Sequence, residues 1–415
     1  MGGAGAGQGE TMALAGPHSA KGNTGNRPQR LTVLGATGSI GASTLDLVAR
    51  SGTAFEVFAV TANANVEALA TCARDCGAER AVIGDATLYK ALKDALSGTS
   101  IVAAAGEEAL IEAASVPVDC TIAAIVGAAG LKPALAAVQT GRRLGLANKE
   151  CLVSAGDVFM QEVARTGCEL IPVDSEHSAA FQVLKDAAPE SIERIVLTAS
   201  GGPFRDWPIE RIATATRADA LNHPNWSMGS KITVDSATMM NKGLELIEAL
   251  HLFPVATNQL GMLVHPQSIV HCLVSFVDGS VLAQMAEPDM RTPIALALSW
   301  PQRMAAPTKR LDLAEISQLT FEAADEVRFP AIRIARAAME RGGTAPAVLN
   351  AANEIAVAAF LDGRLRVPDI AVMVEETLGM ADREGLLADA VGLEAVIACD
   401  HESRRLCRKI VAGRT

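Results

Sequence analysis

Leu31-Thr32-Val33-Leu34-Gly35-Ala36-Thr37-Gly38-Ser39-Ile40-Gly41 is a short apolar run that closes on glycines three residues apart, and a helical pattern follows it to Arg50. Strand, glycine turn and helix in that order predict the first unit of a dinucleotide-binding fold. Glycines there permit a tight turn and let backbone N–H groups approach a pyrophosphate at the helix start. The spacing is not the commonest Gly-x-Gly-x-x-Gly, so its position between strand and helix carries the reading. Gly35, Thr37, Gly38, Ser39 and Ile40 are therefore candidate cofactor contacts.

Working outward, apolar runs at 55–61, 80–83, 120–125, 143–147 and 169–173 alternate with helical segments. That alternation predicts a Rossmann-like, doubly wound parallel sheet. Beyond 174 the texture changes. Strands are expected at 195–198, 262–264 and 271–276, with a Pro/Gly/Trp-rich loop at 221–230 between them. A proline-punctuated connection leads to a helical bundle, where Leu349, Ala352, Ala356 and Ala359 recur at helical spacing. The expected division is a disordered tail (1–29), a dinucleotide-binding domain (30–173), a central α+β catalytic domain (174–300), a linker (301–329) and a C-terminal helical domain (330–415).

The chain has 415 residues and a net charge of −11, which argues against nucleic acid or an anionic membrane as a partner. Its longest apolar stretch, 120–138, contains Lys132 and Pro133, so no membrane span is expected. Eight cysteines form no Cys-x-x-Cys pair and read as reduced thiols of a cytoplasmic protein. Tyr89 and Lys93 imitate a dehydrogenase pair, but they lie too soon after the glycine loop and read as a solvated helix face.

Pro172-Val173-Asp174-Ser175-Glu176-His177 poses a charge problem. Read as the end of a strand, it aims Asp174 and Glu176 at one point, since residues i and i+2 share a face. That point is either water or a hard cation, which wants oxygen ligands from more than one element. Further candidates lie in 234–245, where Ser236 reads as a helix N-cap and Asn241, Lys242 and Glu245 share one face. A solvated Lys–Glu pair is the plain alternative. Ser200-Gly201-Gly202 suits a nest of N–H groups around phosphate oxygens, or simply a turn.

These segments, with Ala147-Asn148-Lys149-Glu150, His223-Pro-Asn-Trp226-Ser-Met228-Gly229 and Glu287-Pro-Asp-Met290, resemble the 1-deoxy-D-xylulose 5-phosphate reductoisomerase family in order from about Leu31 onward. The resemblance implies conversion of 1-deoxy-D-xylulose 5-phosphate and NADPH to 2-C-methyl-D-erythritol 4-phosphate, in the non-mevalonate isoprenoid route. It implies a divalent ion (Mg²⁺, Mn²⁺ or Co²⁺) on Asp174, Glu176 and Glu245. Ser200, Ser236, Asn241 and Lys242 would hold the substrate phosphate, with Ser175 and Lys149 on its backbone. His223, Trp226 and Met228 would belong to a lid that shields a retro-aldol intermediate from water. Lys149 and Glu176 are the catalytic candidates. Asn63, Asn65, Ala124, Ile125, Asn148, Glu150, Gly229 and Met290 would complete the cofactor site. The family implies a homodimer formed through the sheet of the central domain.

The second strand ends in Thr61-Ala62-Asn63-Ala64-Asn65, with no acid to repel a 2′-phosphate, which favours NADPH. Ala64 stands where the family often has Lys or Arg, so Asn63 or Asn65 would have to contribute. Ala199 replaces a common glycine, and Cys151 a common serine. Two rivals remain. A semialdehyde-type NADP-linked dehydrogenase would need a nucleophilic cysteine and no metal, and a non-catalytic dinucleotide sensor would lack the acids.

Overall fold

The structure, a computed structural model, describes residues 27–226, 228–389 and 392–414. Most of the tail expected at 1–29 lies outside the described residues.

Seven strands form the first sheet: β1 (Gln29–Leu34), β2 (Phe55–Ala62), β3 (Arg80–Ile83), β4 (Val102–Ala105), β5 (Cys120–Ala123), β6 (Arg143–Leu146) and β7 (Glu169–Pro172). Their order is β4-β3-β2-β1-β5-β6-β7, and every pairing is parallel. Parallel strands need crossovers and are covered on both faces, which explains their continuous apolar runs. Leu31 pairs with Val57 on one side and Cys120 on the other, so the winding reverses at β1. Ligands of such sheets bind beyond the strand C-termini at that reversal. The glycine loop lies there.

A second sheet, ordered β11-β10-β8-β9, contains β8 (Ile192–Ala199), β9 (Leu260–Val264), β10 (Val270–Phe276) and β11 (Val281–Met285). β8 runs parallel to β9 and antiparallel to β10. Helix Ser175–Leu184 packs against β10 and β11, and so stands between the two sheets. The chain then returns to the first layer. Helix Arg291–Ser299 buries Ile294, Ala297 and Leu298 in one apolar cluster with Leu31, Val33 and Ile122.

The C-terminal helices Ala331–Arg341, Ala345–Leu361, Val367–Arg383 and Leu393–Ala412 pack on one another and on helices Glu150–Thr166 and Met240–Leu252. Leu349, Ala352, Ala356 and Ala359 are all fully buried, as their spacing predicts. Tyr89 is exposed on helix Tyr89–Ala95, with Lys93 Nζ 6.0 Å from its ring. That is the solvated face expected.

Candidate active site

One cavity of about 700 Å³ opens where the C-terminal ends of β1, β5, β6 and β7 meet the second sheet. Its walls include Gly38, Ser39, Ile40, Ala124, Ile125, Asn148, Glu150, Gly229 and Met290 on the nucleotide side. Lys149, Asp174, Ser175, Glu176, Ser200, His223, Trp226, Met228, Ser236, Asn241, Lys242 and Glu245 form the other side. Gly35 and Thr37 shape the turn beneath without lining the cavity. Asn63 and Asn65 lie at the end of β2 outside its walls, and Asn65 Oδ1 is taken by the Ala68 N–H as a helix cap.

The turn requires its glycines. Gly35 has φ +84°, and a Cβ there would sit 2.5 Å from the Ala124 carbonyl oxygen. At Gly41 a Cβ would stand 2.4 Å from the Gly35 carbonyl oxygen. Gly35 N–H donates to Thr61 Oγ1 at 2.9 Å, so β2 holds the loop down. Helix Ser39–Arg50 starts at Gly38 without a side-chain cap. Its first N–H groups, beside a space that a Cβ would fill, suit a pyrophosphate. The residues present fit a dinucleotide.

The acids reach their point by a different route from the one the alternation predicts. β7 stops at Pro172; Asp174 is the N-cap of helix Ser175–Leu184, and Glu176 lies in its first turn. A helix N-terminus favours carboxylates because its free N–H groups carry partial positive charge. Glu245 comes from the middle of the buried helix Met240–Leu252, one turn beyond Asn241 and Lys242. Ligand oxygens of Asp174, Glu176 and Glu245 all lie within 4.8 Å of one another. Ser236 is not an N-cap. It lies in the last turn of helix Ser230–Ala237, and the next helix begins after Met239 in the left-handed region, φ 62°.

Two ammonium groups answer the three carboxylates. Lys149 Nζ lies 2.5 Å from Asp174 Oδ2 and donates to Glu245 Oε1 and Asn241 Oδ1, each at 2.8 Å. Lys242 Nζ donates to Glu176 Oε1 at 2.7 Å and to Glu245 Oε2. Burial alone would lower both lysine pKa values. The facing carboxylates outweigh it, raising Lys242 and lifting Lys149 well above its ordinary range. Burial and Glu245 push the Glu176 carboxyl upward, yet Lys242 and His271 prevail and hold it below its usual value. A donor set made only of carboxylate oxygens, drawn from two elements, fits a hard divalent cation, which would compete with the Lys149 and Lys242 ammonium groups for them.

A second acid cluster lies behind the first. His177 Nε2 faces the Glu245 carbonyl oxygen at 2.9 Å, and its Nδ1 lies 2.9 Å from Glu248 Oε2. A carbonyl only accepts, so Nε2 carries a hydrogen. Burial alone would lower the His177 pKa, but Glu248 outweighs it and pushes it up to about 9. With both nitrogens engaged, Asp174, His177 and Glu248 make a poor cation site despite their proximity. They brace the first cluster instead.

Ser200 closes the opposite end. It follows β8 directly, and Gly201 and Gly202 have φ +85° and +67°. Its Oγ accepts from Gly202 N–H at 3.1 Å and stands 3.0 Å from His223 Nε2. His223 Nδ1 accepts N–H bonds from Asn225 and Trp226, so Nε2 is the protonated nitrogen and the ring is neutral. Burial pushes its pKa down to about 4. Ser200 thereby keeps its own O–H for the cavity. The 223–229 loop, of which Ser227 lies outside the described residues, is pinned by Asn225 Nδ2 to the Pro266 carbonyl at 2.7 Å and to Ser268 Oγ at 2.8 Å.

Cys151 is buried, and burial raises its pKa well above the ordinary thiol value, which removes it as a nucleophile. His271 also lines the cavity, although its sequence left it unassigned. Lys231, with Nζ 2.9 Å from both Glu150 Oε1 and Asp235 Oδ2, opens a segment that carries the family resemblance but has no role assigned from sequence. Its i,i+4 spacing to Asp235 was the available signal.

Comparison with known proteins places the chain in a family. Residues 31–156 match the family model described as 1-deoxy-D-xylulose 5-phosphate reductoisomerase, and 170–253 match its C-terminal domain model. Residues 285–406 match a further model, DXP reductoisomerase C-terminal domain. A protein of that name from Rhizobium rhizogenes is 54% identical over 94% of this chain and 98% of its own length. The solved reductoisomerase of Zymomonas mobilis in complex with NADPH is 50% identical, with a TM-score of 0.86, covering 93% of this chain and 99% of that one. Another solved reductoisomerase, in complex with NADPH, fosmidomycin and magnesium, is 40% identical with a TM-score of 0.87, covering 92% and 98%.

Proposed function

The chain belongs to the 1-deoxy-D-xylulose 5-phosphate reductoisomerase family, and we propose that this cavity is where it isomerises that ketose phosphate and reduces the product with NADPH to 2-C-methyl-D-erythritol 4-phosphate. The observation that carries the residue assignment is the convergence of Asp174, Glu176 and Glu245 beside a dinucleotide-binding turn.

Asp174, Glu176 and Glu245 would hold the divalent ion, whose chemistry when bound is to polarise neighbouring carbonyl and hydroxyl oxygens of the substrate. Ser200, Ser236, Asn241 and Lys242 would take the phosphate. Lys242 supplies the positive charge, and the Ser200 hydroxyl, freed by His223, donates a hydrogen bond. Lys149 sits where it can donate to an oxyanion developing beside Asp174. Ser175 orients Glu176 by donating to its Oε2 at 2.5 Å. The loop bearing His223, Trp226 and Met228 would close over the substrate and exclude water. Gly35 to Ile40, Ala124, Ile125, Asn148, Glu150, Gly229 and Met290 would position NADPH, while Asn63 and Asn65 are left to meet its 2′-phosphate from outside the cavity.

The homodimer is proposed through the open edge of the second sheet. β11 has no partner on its outer side among the described residues, and Val281 and Leu282 are each 52% exposed there. Edge strands with exposed apolar side chains are read as pairing surfaces. Among the described residues no helix is long and apolar enough to cross a membrane. A cytoplasmic location remains the reading from reduced cysteines.

The test is direct. Protein, NADPH, Mn²⁺ or Mg²⁺ and 1-deoxy-D-xylulose 5-phosphate are mixed and the nicotinamide absorbance is followed. Oxidation that needs both metal and substrate is expected, and oxidation that ignores the metal would overturn the assignment of the three carboxylates.

A further inference from the structure

Lys231 is the second residue of helix Ser230–Ala237, directly after the 223–229 loop. Its Nζ donates to Glu150 Oε1 at 2.9 Å and lies 2.9 Å from Asp235 Oδ2. Glu150 opens helix Glu150–Thr166, immediately after Lys149, and both it and Asp235 are buried. Asp235 Oδ1 in turn accepts from Asn353 Nδ2 at 2.8 Å, in helix Ala345–Leu361. Glu354 beside it is held by Arg404 at 2.8 Å and by Asn350 at 3.1 Å. One ammonium group thus joins the loop's exit, the nucleotide layer and the C-terminal bundle.

The local geometry gives this link a task. Gly229, the N-cap before Lys231, has nothing within 4 Å of where a Cβ would stand, while its carbonyl accepts from Thr233 N–H at 3.1 Å and Thr233 Oγ1 at 2.9 Å, so the anchored helix starts here and the loop before it has room. Downstream, the same short helix carries Ser236 in its last turn and ends at Ala237, and helix Met240–Leu252 then carries Asn241, Lys242 and Glu245. A lid needs a fixed anchor beyond its hinge if it is to close reproducibly. A cofactor contact such as Glu150 needs a partner that sets its carboxylate. Lys231 does both with one group.

We propose that Lys231 is a positioning residue that clamps the lid's hinge to the cofactor-binding residue Glu150. The inference rests on the family reading of the cavity. It deepens that reading by tying nicotinamide placement to lid closure through a residue at the cavity wall whose ammonium group is engaged by Glu150 and Asp235.

Lys231→Met keeps the side-chain stem but leaves Glu150 and Asp235 facing each other. The double variant Lys231→Met/Asp235→Asn removes that repulsion. It retains the trio's single net negative charge, and the oxygen of the introduced amide can still accept from Asn353. For Lys231→Met, kcat is expected to fall about ten- to a hundredfold, the usual effect of loosening a group that holds a first contact. The KM for NADPH should rise several-fold, and the KM for the ketose phosphate should move less. Lys231→Arg should recover part of the loss. The double variant should recover the thermal midpoint but not kcat. A Lys231→Met enzyme with wild-type kcat and wild-type KM for NADPH overturns the proposal, and so does a double variant that regains full turnover. Nicotinamide fluorescence titration gives the NADPH dissociation constant of each form without turnover. An inactive wild type would count against the functional reading, whereas equal NADPH affinity in wild type and Lys231→Met would count against the clamp.

Discussion

Lys242 Nζ lies 2.7 Å from Glu176 Oε1 and also contacts Glu245, so the residue proposed for the substrate phosphate is bonded to two of the proposed metal ligands. Phosphate binding and metal binding therefore share a side chain. Each should alter the other's affinity by the same factor.

Glu245→Gln should abolish metal-dependent turnover, with a loss of about a thousandfold or more expected when a metal ligand and its charge are removed. The amide keeps the side-chain volume, so circular dichroism should be unchanged. Wild-type-like NADPH oxidation in this variant would remove Glu245 from the metal shell.

Removing the metal should leave the protein folded. Lys149 and Lys242 already neutralise most of the carboxylate charge. A chelator should lower the thermal midpoint by only about 2 °C, the scale of losing a ligand at about ten times its dissociation constant. Lys242→Met in the chelated protein should be worse, by about 3 kcal/mol, because it leaves buried carboxylates unpaired. Differential scanning calorimetry separates the two.

His223 sets an acid limit. Its folded pKa of about 4 lies below the ordinary 6.5, so between those values the unfolded chain binds the extra proton. Stability from this residue is complete above pH 6.5 and declines as pH falls toward 4. Denaturant unfolding across that range should show the decline, and His223→Gln should flatten it. Protonation of Nδ1 also ends its acceptance of the Asn225 and Trp226 N–H groups, so the KM for the ketose phosphate should rise as pH falls toward about 4.

Ala64 leaves the 2′-phosphate without a cation at that position. Ala64→Arg should lower the KM for NADPH about fivefold, on the order of 1 kcal/mol for one added charge near the surface. NADH kinetics should not change. Equal effects on both cofactors would place the 2′-phosphate elsewhere.

The nucleotide layer was largely legible because parallel strands are buried on both faces and announce themselves as apolar runs. β4 was not, since Val102-Ala-Ala-Ala105 is short and lacks the bulky β-branched pattern. β11 was missed because an edge strand with half-exposed residues has no clean alternation. The acids of 174–176 were picked out on an incorrect geometric argument. Strand alternation was invoked where a helix start performs the convergence, and residue types alone do not reveal where one period gives way to the other. Glu248 is invisible in the sequence because its partner His177 lies 71 positions away, and Lys231 shows there only its i,i+4 spacing to Asp235, since its other partner, Glu150, lies 81 positions away.

Helix Glu150–Thr166 is bent at Ala155, where φ is −135°, and at the next residue, Gly156, a Cβ would fall 2.3 Å from the His251 ring on helix Met240–Leu252. One of these rods begins directly after Lys149 and the other carries Glu245, and the missing methyl lets the His251 ring lie in the seam between them. Gly156→Ala would act as a shim. Placed more than a turn away from any ligand, it should widen the seam and weaken metal affinity with every coordinating residue intact, a lesion that inspection of the reaction centre alone would overlook.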